Sequence, residues 1–349
     1  MSTGQQKSAL NIVMGAMTFG EEGKDGARVH DLNDVKAILD IFQKHGHYEV
    51  DTAFVYAGGT SEEYLGKIGW KERGLVVHTK LYPWPVRSAP HRARCGASQR
   101  GAISHKPEEL RKFLDISLKR LGTDSIDMWY LHGPDRTTPY EDTLRAVNEL
   151  HKEGKFKRFG ISNYTSWEVA ELVGIARANG WIQPTVYQGI YNAIHRKVEP
   201  ELFPCLRKFG IAFYEFNPLG GGFFTGRYRS LEDTSAAADP GSRFDPNTRQ
   251  GQAYRERYWN ERYFGALAKI EAVAQKHGLT LAEIALRWIS HHSLLKREHG
   301  DAVLIGASSV KHIEQNLVDL EKGPLPEEVL KVLDEAWLEV QPYAANYFH

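Results

Sequence analysis

Two patterns of hydrophobic and polar residues alternate along the chain. Short runs rich in β-branched and aromatic residues, such as Ile126–His132, are typical of β-strands. Between such runs, hydrophobic residues recur at intervals of three and four, as in Leu32–Phe42, which is the spacing of an amphipathic helix. No change in composition marks a linker between parts of the chain. We therefore predict a single domain over residues 1–349.

Eight segments are predicted to be strands, and most of them are followed by a predicted helix. The eight segments are Asn11–Gly15, His47–Asp51, Leu75–Lys80, Ile126–His132, Phe156–Asn163, Thr185–Gln188, Ile211–Phe216 and Ala302–Ile305. Strict alternation of strands and helices predicts a parallel sheet. Eight such units in 349 residues favour a closed (β/α)8 TIM barrel over an open doubly wound sheet.

Helix starts and loops follow from local signals. A threonine followed three residues later by glutamate, the capping-box pattern, occurs at Thr60, Thr138, Thr165 and Thr280. Pro139 is predicted at the first helical position of its helix. Residues 82–106 and 219–258 lack clear periodicity and are predicted to be long surface loops after strands 3 and 7. The aromatic tail Tyr343–His349 is expected to lie over the active site.

Composition and charge exclude several classes of protein. The chain is 42% hydrophobic and 25% charged, with 44 basic and 44 acidic residues, so electrostatic nucleic-acid binding is not expected. No apolar stretch approaches the roughly 20 residues that span a bilayer, and residues 1–7 lack the apolar run of a signal peptide. Cys95 and Cys205 fit no metal or redox spacing. We therefore expect a cytoplasmic protein without a disulfide framework or membrane contact.

Four polar residues lie at or just after the ends of three predicted strands. They are Asp51, Tyr56, Lys80 and His132. In a parallel barrel these strand ends meet at one face, where barrel enzymes carry their chemistry. A lysine near a tyrosine favours the phenolate and lowers the tyrosine pKa from about 10, and a carboxylate can fix the lysine. Such a set suits protonation of a carbonyl oxygen as hydride reaches the carbon.

Structural alternatives exist for single members of this set and for other polar groups. Taken alone, Asp51 is as compatible with a turn cap, and Tyr56 with a loop aromatic, as with catalysis. The chain has 15 histidines, but none shows a zinc-ligand spacing such as H-E-x-x-H, so no metal is expected. Four basic residues of one predicted helix are most simply its solvated face: Arg111, Lys112, Lys119 and Arg120.

Several motifs in register resemble those of the aldo-keto reductases. Asp51-Thr52-Ala53-x-x-Tyr56, then Lys80, then Tyr130-Leu131-His132, resemble the catalytic tetrad of that family. Further similar segments are Gly160–Asn163, Gln188-x-x-Tyr191-Asn192, Asn217–Gly226 and Ile305–Ser309. Local signatures near Leu286–Ser293, His299–Val303 and Asn346–Phe348 are most similar to the aflatoxin-aldehyde/succinic-semialdehyde reductases. The resemblance spans roughly residues 11–320. It implies a barrel that reduces aldehydes and some ketones with NADPH, without a metal.

The resemblance also implies a cofactor site. Ser162, Asn163 and Gln188 would hold the nicotinamide amide, and Tyr214 would lie against the ring face. The pyrophosphate and ribose would be wrapped by Asn217, Pro218, Leu219, Gly220, Gly222, Thr225, Gly226, Arg227 and Arg243. The adenosine 2′-phosphate would be held by Ser308, Ser309, His312, Gln315 and Asn316. A strand end entering a helix favours an anion there, which supports NADP over NAD.

These cofactor segments also have structural alternatives. Ser162-Asn163 could merely precede the helix cap at Thr165, and Ser308-Ser309 could be only a helix cap. Gly220–Gly222 could be a turn that binds no ligand.

The substrate side of the site is less specific. Trp84, Trp129, Trp259 and Tyr347 are candidates to line an apolar pocket, although Trp129 is equally compatible with packing inside a strand. Close relatives end in arginine, whereas this chain ends in His349, which is mostly neutral at pH 7 and lacks a bidentate fork. We therefore expect weaker activity on succinic semialdehyde than on uncharged or bulkier carbonyls.

Two classes of function share this scaffold. The first hypothesis is an NADPH-dependent reductase acting on a small-molecule carbonyl substrate. The second is a cofactor-sensing regulatory subunit, because the potassium-channel β subunits have the same barrel and tetrad. Relatives are often dimers, so a homodimer is compatible with the resemblance. The branch signatures favour the reductase.

Overall fold

Eight parallel strands close into a barrel in the computed structural model, which describes residues 6–84, 103–233 and 242–349. The strands are β1 Asn11–Gly15, β2 Glu49–Asp51, β3 Val76–Leu81, β4 Ile126–Leu131, β5 Phe156–Ser162, β6 Val186–Ile190, β7 Ala212–Phe216 and β8 Ala302–Gly306. Each strand pairs in parallel with the next, and β1 pairs with β8. The prediction of a closed (β/α)8 barrel is therefore confirmed.

Helices surround the barrel. They are α1 Leu32–Lys44, α2 Thr60–Lys67, α3 Pro107–Arg120, α4 Tyr140–Lys152, α5 Ser166–Asn179, α6 Leu202–Phe209, α7 Arg249–Tyr258, α8 Glu261–Lys276, α9 Leu281–His291, α10 Val310–Leu320 and α11 Glu327–Val340. No helix in the described part of the chain is long and apolar enough to cross a membrane.

Each strand divides its side chains between the barrel interior and the surrounding helices. In β4, Met128 and Tyr130 belong to a small interior cluster, whereas Trp129 and Leu131 pack in the larger core under the helices. A parallel strand that is covered on both faces has apolar residues on both, so its sequence is a continuous apolar run. This explains why hydrophobic and polar residues show little alternation in β4. Gly160 on β5 leaves room for the Tyr130 ring, because a Cβ there would lie 2.3 Å from that ring.

Two of the four predicted helix caps are confirmed. Thr165 forms a full capping box with Glu168, and the Thr280 side chain accepts a hydrogen bond from the Glu283 amide. The predictions at Thr60 and Thr138 are wrong, because a tight turn leads directly into each of these helices. Helix α2 begins at Thr60 itself, whose hydroxyl donates to the Ala57 carbonyl at 2.7 Å. Pro139 is the cap of α4 rather than its first residue.

The two long loops differ from expectation in one respect. Helix α7 lies inside the segment 219–258 that was expected to be irregular. It was missed because it buries only Gly251, Tyr254 and Tyr258 and is otherwise strongly polar. Of the loop after β3, residues 85–102, including Cys95, lie outside the described residues.

The C-terminal tail runs back across the C-terminal ends of the strands. The Tyr347 hydroxyl accepts a hydrogen bond from the Ser166 amide at 3.2 Å and donates to Glu201. The His349 amide donates to the carbonyl of Asn163, just after β5, at 3.2 Å. These bonds hold the end of the chain beside the strand ends, as the sequence predicted.

Candidate active site

A buried ion pair forms the floor of the site. Lys80 on β3 is fully buried and pairs with the carboxylate of Asp51, the last residue of β2. Its Nζ also donates to the Thr52 carbonyl at 2.7 Å, and Gln188 Nε2 donates to Asp51 Oδ1 at 2.9 Å. A buried pair of this kind fixes geometry, because removal of either partner leaves an uncompensated charge.

Tyr56 and His132 lie above this pair. Their rings meet edge to face with centroids 5.8 Å apart, and Lys80 Nζ lies 5.0 Å from the centre of the Tyr56 ring. The strand ladder continues past β2, since the Phe54 amide donates to the Lys80 carbonyl at 2.9 Å. The structure therefore brings the four predicted catalytic residues together at the C-terminal face of the barrel.

Burial sets the protonation states of the site. Burial and then the Asp51 carboxylate raise the pKa of Tyr56 above its ordinary value, although Arg243 opposes them. Contrary to the expectation from Lys80, the pKa of Tyr56 is therefore not below its ordinary value, because burial and the Asp51 carboxylate dominate the shift. Burial lowers the pKa of Lys80 against the opposing effect of Asp51. Burial, Lys80 and His349 lower the pKa of His132, so its imidazole is neutral at pH 7.

Three polar residues expected at the nicotinamide amide share this face with the tetrad. Ser162 ends β5, Asn163 follows it, and Gln188 lies in the middle of β6; all three are buried. Asn163 has a left-handed backbone, with φ of 65°, and its side-chain amide donates to the His132 carbonyl at 2.8 Å. Gln188 donates to Asp51, so its amide links β6 to the ion pair.

Tyr214 lies deeper in the barrel than the expected ring-face position. It pairs with Ala302, the first residue of β8, and its hydroxyl donates to Glu49 Oε2 at 3.1 Å. Side chains two residues apart on a strand share a face, so Phe216 has the same inward orientation at the end of β7. Phe216 packs against the interior cluster and is only partly buried. The aromatic ring at the site's face is therefore that of Phe216.

The loop after β7 is joined to α7 through one tyrosine. The Tyr254 hydroxyl donates to Asn217 Oδ1 at 2.8 Å and lies 3.3 Å from Arg243 Nη1, which donates to it. Gly221 is left-handed, with φ of 69°, and a Cβ there would lie 2.2 Å from the Tyr254 ring. The buried Asn217 Nδ2 has no hydrogen-bond partner among the described residues. This arrangement leaves an unsatisfied donor beside Arg243.

The remaining loop residues of the predicted cofactor set form part of a short glycine-rich turn. Gly220–Thr225 is a 3-10 segment, and Gly226 closes it with φ of 68°. Thr225 Oγ1 donates to the Gly222 carbonyl at 2.6 Å. Pro218 and Leu219 connect β7 to this turn, and Arg227 follows it with its guanidinium 5.6 Å from the Tyr228 ring centre.

The start of α10 has the character of an anion site. Ser309 caps the helix by accepting from the His312 amide at 3.2 Å, and Ser308 Oγ lies 3.0 Å from His312 Nδ1. Burial, Arg28 and Lys311 lower the pKa of His312, which shows that two cations lie nearby. Arg28, in the loop after β1, was missed because nothing in the sequence links that loop to α10.

The last two predicted phosphate ligands, Gln315 and Asn316, lie in α10 and form hydrogen bonds within the protein. Asn316 donates to the Gly306 carbonyl at 3.3 Å, and Gln315 donates to Asp319 Oδ1 at 3.1 Å.

Of the predicted pocket aromatics, Trp84 is linked to the tetrad. The Tyr82 ring lies 5.6 Å from His132 and 6.5 Å from Trp84, and the Arg249 guanidinium stacks 4.2 Å above Trp84. Tyr82 was not anticipated, although it is only two residues from Lys80.

The other aromatic candidates make structural contacts. Trp259 packs against Tyr228 and Phe264 at 5.3 and 5.2 Å, and its Nε1 donates to the Leu231 carbonyl. None of these contacts reaches the tetrad. Trp129 faces the helices, and Tyr347 anchors the tail.

Two arginines face the end of the tail. Burial, Arg257 and Arg136 lower the pKa of His349 to about 4, so its imidazole is neutral at pH 7. Arg136 is paired with Glu168 at 2.8 Å. Arg257 on α7 forms no ion pair within the described residues and contacts the Tyr254 ring at 5.5 Å. Arg257 was missed because its helix was taken for a loop.

Comparison with known proteins gives a consistent result. The model of the Aldo/keto reductase family matches residues 11–338. The chain is 44% identical to human "Aldo-keto reductase family 7 member A3" over the whole of both chains. It is 44% identical to "Aldo-keto reductase pigE" of Monascus ruber over 98% of each chain. It is 43% identical to human "Aflatoxin B1 aldehyde reductase member 2", covering 96% of this chain and 89% of that relative.

Proposed function

Because this chain belongs to the aldo/keto reductase family, we propose that it reduces aldehydes, and some ketones, with NADPH, and that Tyr56 supplies the proton. As a family member it is an oxidoreductase that acts on carbonyl compounds. The observation that carries the proposal is the buried Lys80–Asp51 pair directly beneath Tyr56 and His132.

The residues present fit an NADP cofactor. The first amides of α10, Ser308 and the neighbouring Arg28 and Lys311 suit a phosphate group. Asn217 Nδ2, which has no partner among the described residues, and Arg243 suit the pyrophosphate or ribose oxygens. We assign the nicotinamide ring face to Phe216 rather than Tyr214, and the carboxamide to Ser162, Asn163 and Gln188. When bound, NADPH supplies the hydride.

The proton is held and moved by the tetrad. Because its pKa is raised, Tyr56 is protonated at neutral pH and can give its hydroxyl proton to the carbonyl oxygen as negative charge develops there. Lys80, fixed by Asp51 and the Thr52 carbonyl, then stabilises the phenolate. The neutral His132 donates one N–H to the substrate oxygen and orients it. Asp51 is thus a partner of Lys80 and not a base.

The substrate preference follows from the two sides of the pocket. Tyr82 and Trp84 present an apolar wall beside His132, which suits uncharged or bulky carbonyls. On the other side, Arg257 forms no ion pair within the described residues and is a cation near His349 that can bind a substrate carboxylate. We therefore propose that succinic semialdehyde is a poor substrate rather than an excluded one.

His349→Arg tests this preference. The variant should raise kcat/KM for succinic semialdehyde about tenfold, because one charge-assisted hydrogen bond contributes about 1.5 kcal/mol. Butyraldehyde, which has the same carbon number but no charge, should show no change. Equal effects on both substrates, or no gain with succinic semialdehyde, would contradict the proposed role of the tail.

The reductase function itself is tested by NADPH consumption with 4-nitrobenzaldehyde. Turnover that depends on the aldehyde supports the proposal. Tight NADPH binding without turnover would instead favour the cofactor-sensing regulatory role of the same scaffold.

A further inference from the structure

Arg120 does not lie on the solvated face that was expected for α3. Its side chain is only 15% exposed, and its Nη1 lies 3.1 Å from Oε2 of Glu62, whose side chain is 0% exposed. Arg111, on the same helix, shows the contrast: it pairs with Glu153 at the surface and is 44% exposed. An exposed pair of that kind contributes little to structure. The Arg120–Glu62 pair is buried, and its structural role follows from what its two side chains contact.

One branch of this pair holds the segment that carries Tyr56. Arg120 Nη1 donates to the Phe54 carbonyl at 3.2 Å, and its guanidinium lies 4.6 Å from the centre of the Phe54 ring. Gly59 makes room for the guanidinium, because a Cβ there would lie 2.5 Å from the guanidinium carbon. The arginine is thus enclosed by the turn that begins at Tyr56.

The other branch holds the strand that carries Lys80. Glu62 Oε1 accepts a hydrogen bond at 2.6 Å from Oγ1 of Thr79, the residue before Lys80. The Phe54 amide in turn donates to the Lys80 carbonyl at 2.9 Å. One ion pair outside the barrel therefore connects to both segments that set the distance between Tyr56 and Lys80.

The turn after Tyr56 needs such support. Ala57, Gly58 and Gly59 have φ of 48°, 68° and 104°, so three successive residues are left-handed. A non-glycine residue such as Ala57 is strained in this conformation and keeps it only when its surroundings fix it. The Arg120–Phe54 hydrogen bond joins this turn to α3.

We propose that Arg120 and Glu62 are positioning residues that hold Tyr56 at its working distance from Lys80. The pair acts from behind the site, through Phe54 and Thr79, and touches neither cofactor nor substrate. This inference rests on the proposed role of Tyr56 as proton donor, but its structural part stands on the contacts alone.

Arg120→Lys is the decisive variant. Lysine keeps the charge opposite Glu62 but lacks the planar guanidinium, whose Nη1 donates to both Glu62 and the Phe54 carbonyl and whose face lies on the Phe54 ring. We expect kcat with 4-nitrobenzaldehyde to fall about 10²-fold, the scale of a 1 Å misplacement, while KM and the NADPH Kd stay within about twofold. Amide hydrogen exchange over residues 54–59 should quicken. Arg111→Lys, the matched control on the same helix, should change neither kcat nor this exchange.

Glu62→Gln provides a second variant should the lysine variant fold poorly, because it removes the buried charge. It should also lower kcat without changing the NADPH Kd. Wild-type exchange at residues 54–59 together with wild-type kcat in both variants would overturn the inference. If the wild-type enzyme reduced no aldehyde, the proposed function would fail, and the exchange measurement alone would decide the positioning role.

Discussion

The barrel interior contains two polar clusters, and they differ in what their groups are bonded to. The catalytic cluster at the C-terminal end contains Asp51, Tyr56, Lys80 and His132. The lower cluster contains Glu49, His78, Asp127, Arg158 and Tyr214. Each contains a carboxylate, a cation, a tyrosine and a histidine, so residue types alone do not separate a site from a structural network.

In the lower cluster the charged groups are paired with one another. Arg158 Nε donates to Asp127 Oδ2 at 2.8 Å, and Glu49 lies 3.4 Å from His78 Nε2 and accepts from Tyr214. In the catalytic cluster, pairing ends at Lys80 and Asp51. The buried Nδ1 of His132 has no hydrogen-bond partner among the described residues, and Tyr56 makes ring contacts with His132 and Lys80. In the lower cluster the buried Nδ1 of His78 also lacks a partner there, but its Nε2 lies 3.4 Å from Glu49 and 3.6 Å from Asp127. Groups left without partners are available for chemistry, whereas the paired ones serve the fold.

The largest effect should come from breaking the buried pair of the catalytic cluster. Lys80→Met leaves the Asp51 carboxylate buried without a cation, so unfolding free energy should drop by about 3–5 kcal/mol. It should also abolish measurable reduction, because the Tyr56 phenolate loses its stabilising charge. Urea unfolding and NADPH consumption measure the two effects. A stable and active Lys80→Met enzyme would remove the distinction between the clusters.

A smaller effect, on stability alone, is expected from the lower cluster. Arg158→Met leaves Asp127 and Glu49 without their shared cation, and these side chains are partly exposed, so the loss should be about 2–3 kcal/mol. The kcat for 4-nitrobenzaldehyde should stay within about twofold at a temperature where the variant is folded. A tenfold fall in kcat with an unchanged fold would show that the lower cluster belongs to the site.

The smallest effect is a dependence of stability on acid. Burial would raise the pKa of Asp127, but hydrogen bonds from His78 and Arg158 hold it at about 2, below its ordinary value of 3.8. A carboxyl group whose pKa is lower in the folded state stabilises the protein at pH values above its unfolded-state pKa. That stabilisation is lost as pH falls from about 4 towards 2. This contribution is about 1–2 kcal/mol. Asp127→Asn should flatten the curve of unfolding free energy in that window, and an unchanged slope would contradict the assignment.

The fold and the tetrad were predictable because both follow from local order along the chain. Alternating strands and helices permit few arrangements, and a parallel barrel places the residues after each strand on one face. Asp51, Lys80 and His132 needed only their positions at strand ends. Tyr56, in the loop after β2, was identified by its spacing from Asp51 within the motif that resembles the aldo-keto reductases.

The rest of the site depends on how deep each side chain lies in the barrel and on packing between distant segments. The sequence pattern displays neither. Tyr214 and Phe216 are both aromatic and share one face of β7. Only the register of β7 against β8 shows that Tyr214 lies deeper in the barrel than Phe216. Arg120 has the sequence context of a surface residue. Its burial depends on Gly59, from a turn 61 positions earlier, and no periodicity signals that approach.

The most direct test of the central claim compares NADPH binding and turnover in the wild-type protein and Tyr56→Phe. The variant removes one hydroxyl and keeps the ring that contacts His132, so folding and NADPH Kd should stay as in the wild type. Reduction of 4-nitrobenzaldehyde should fall by about 10²–10⁴-fold, the contribution of a positioned general acid. A Tyr56→Phe enzyme with wild-type kcat would contradict the account, because Tyr56 would then not be the proton donor.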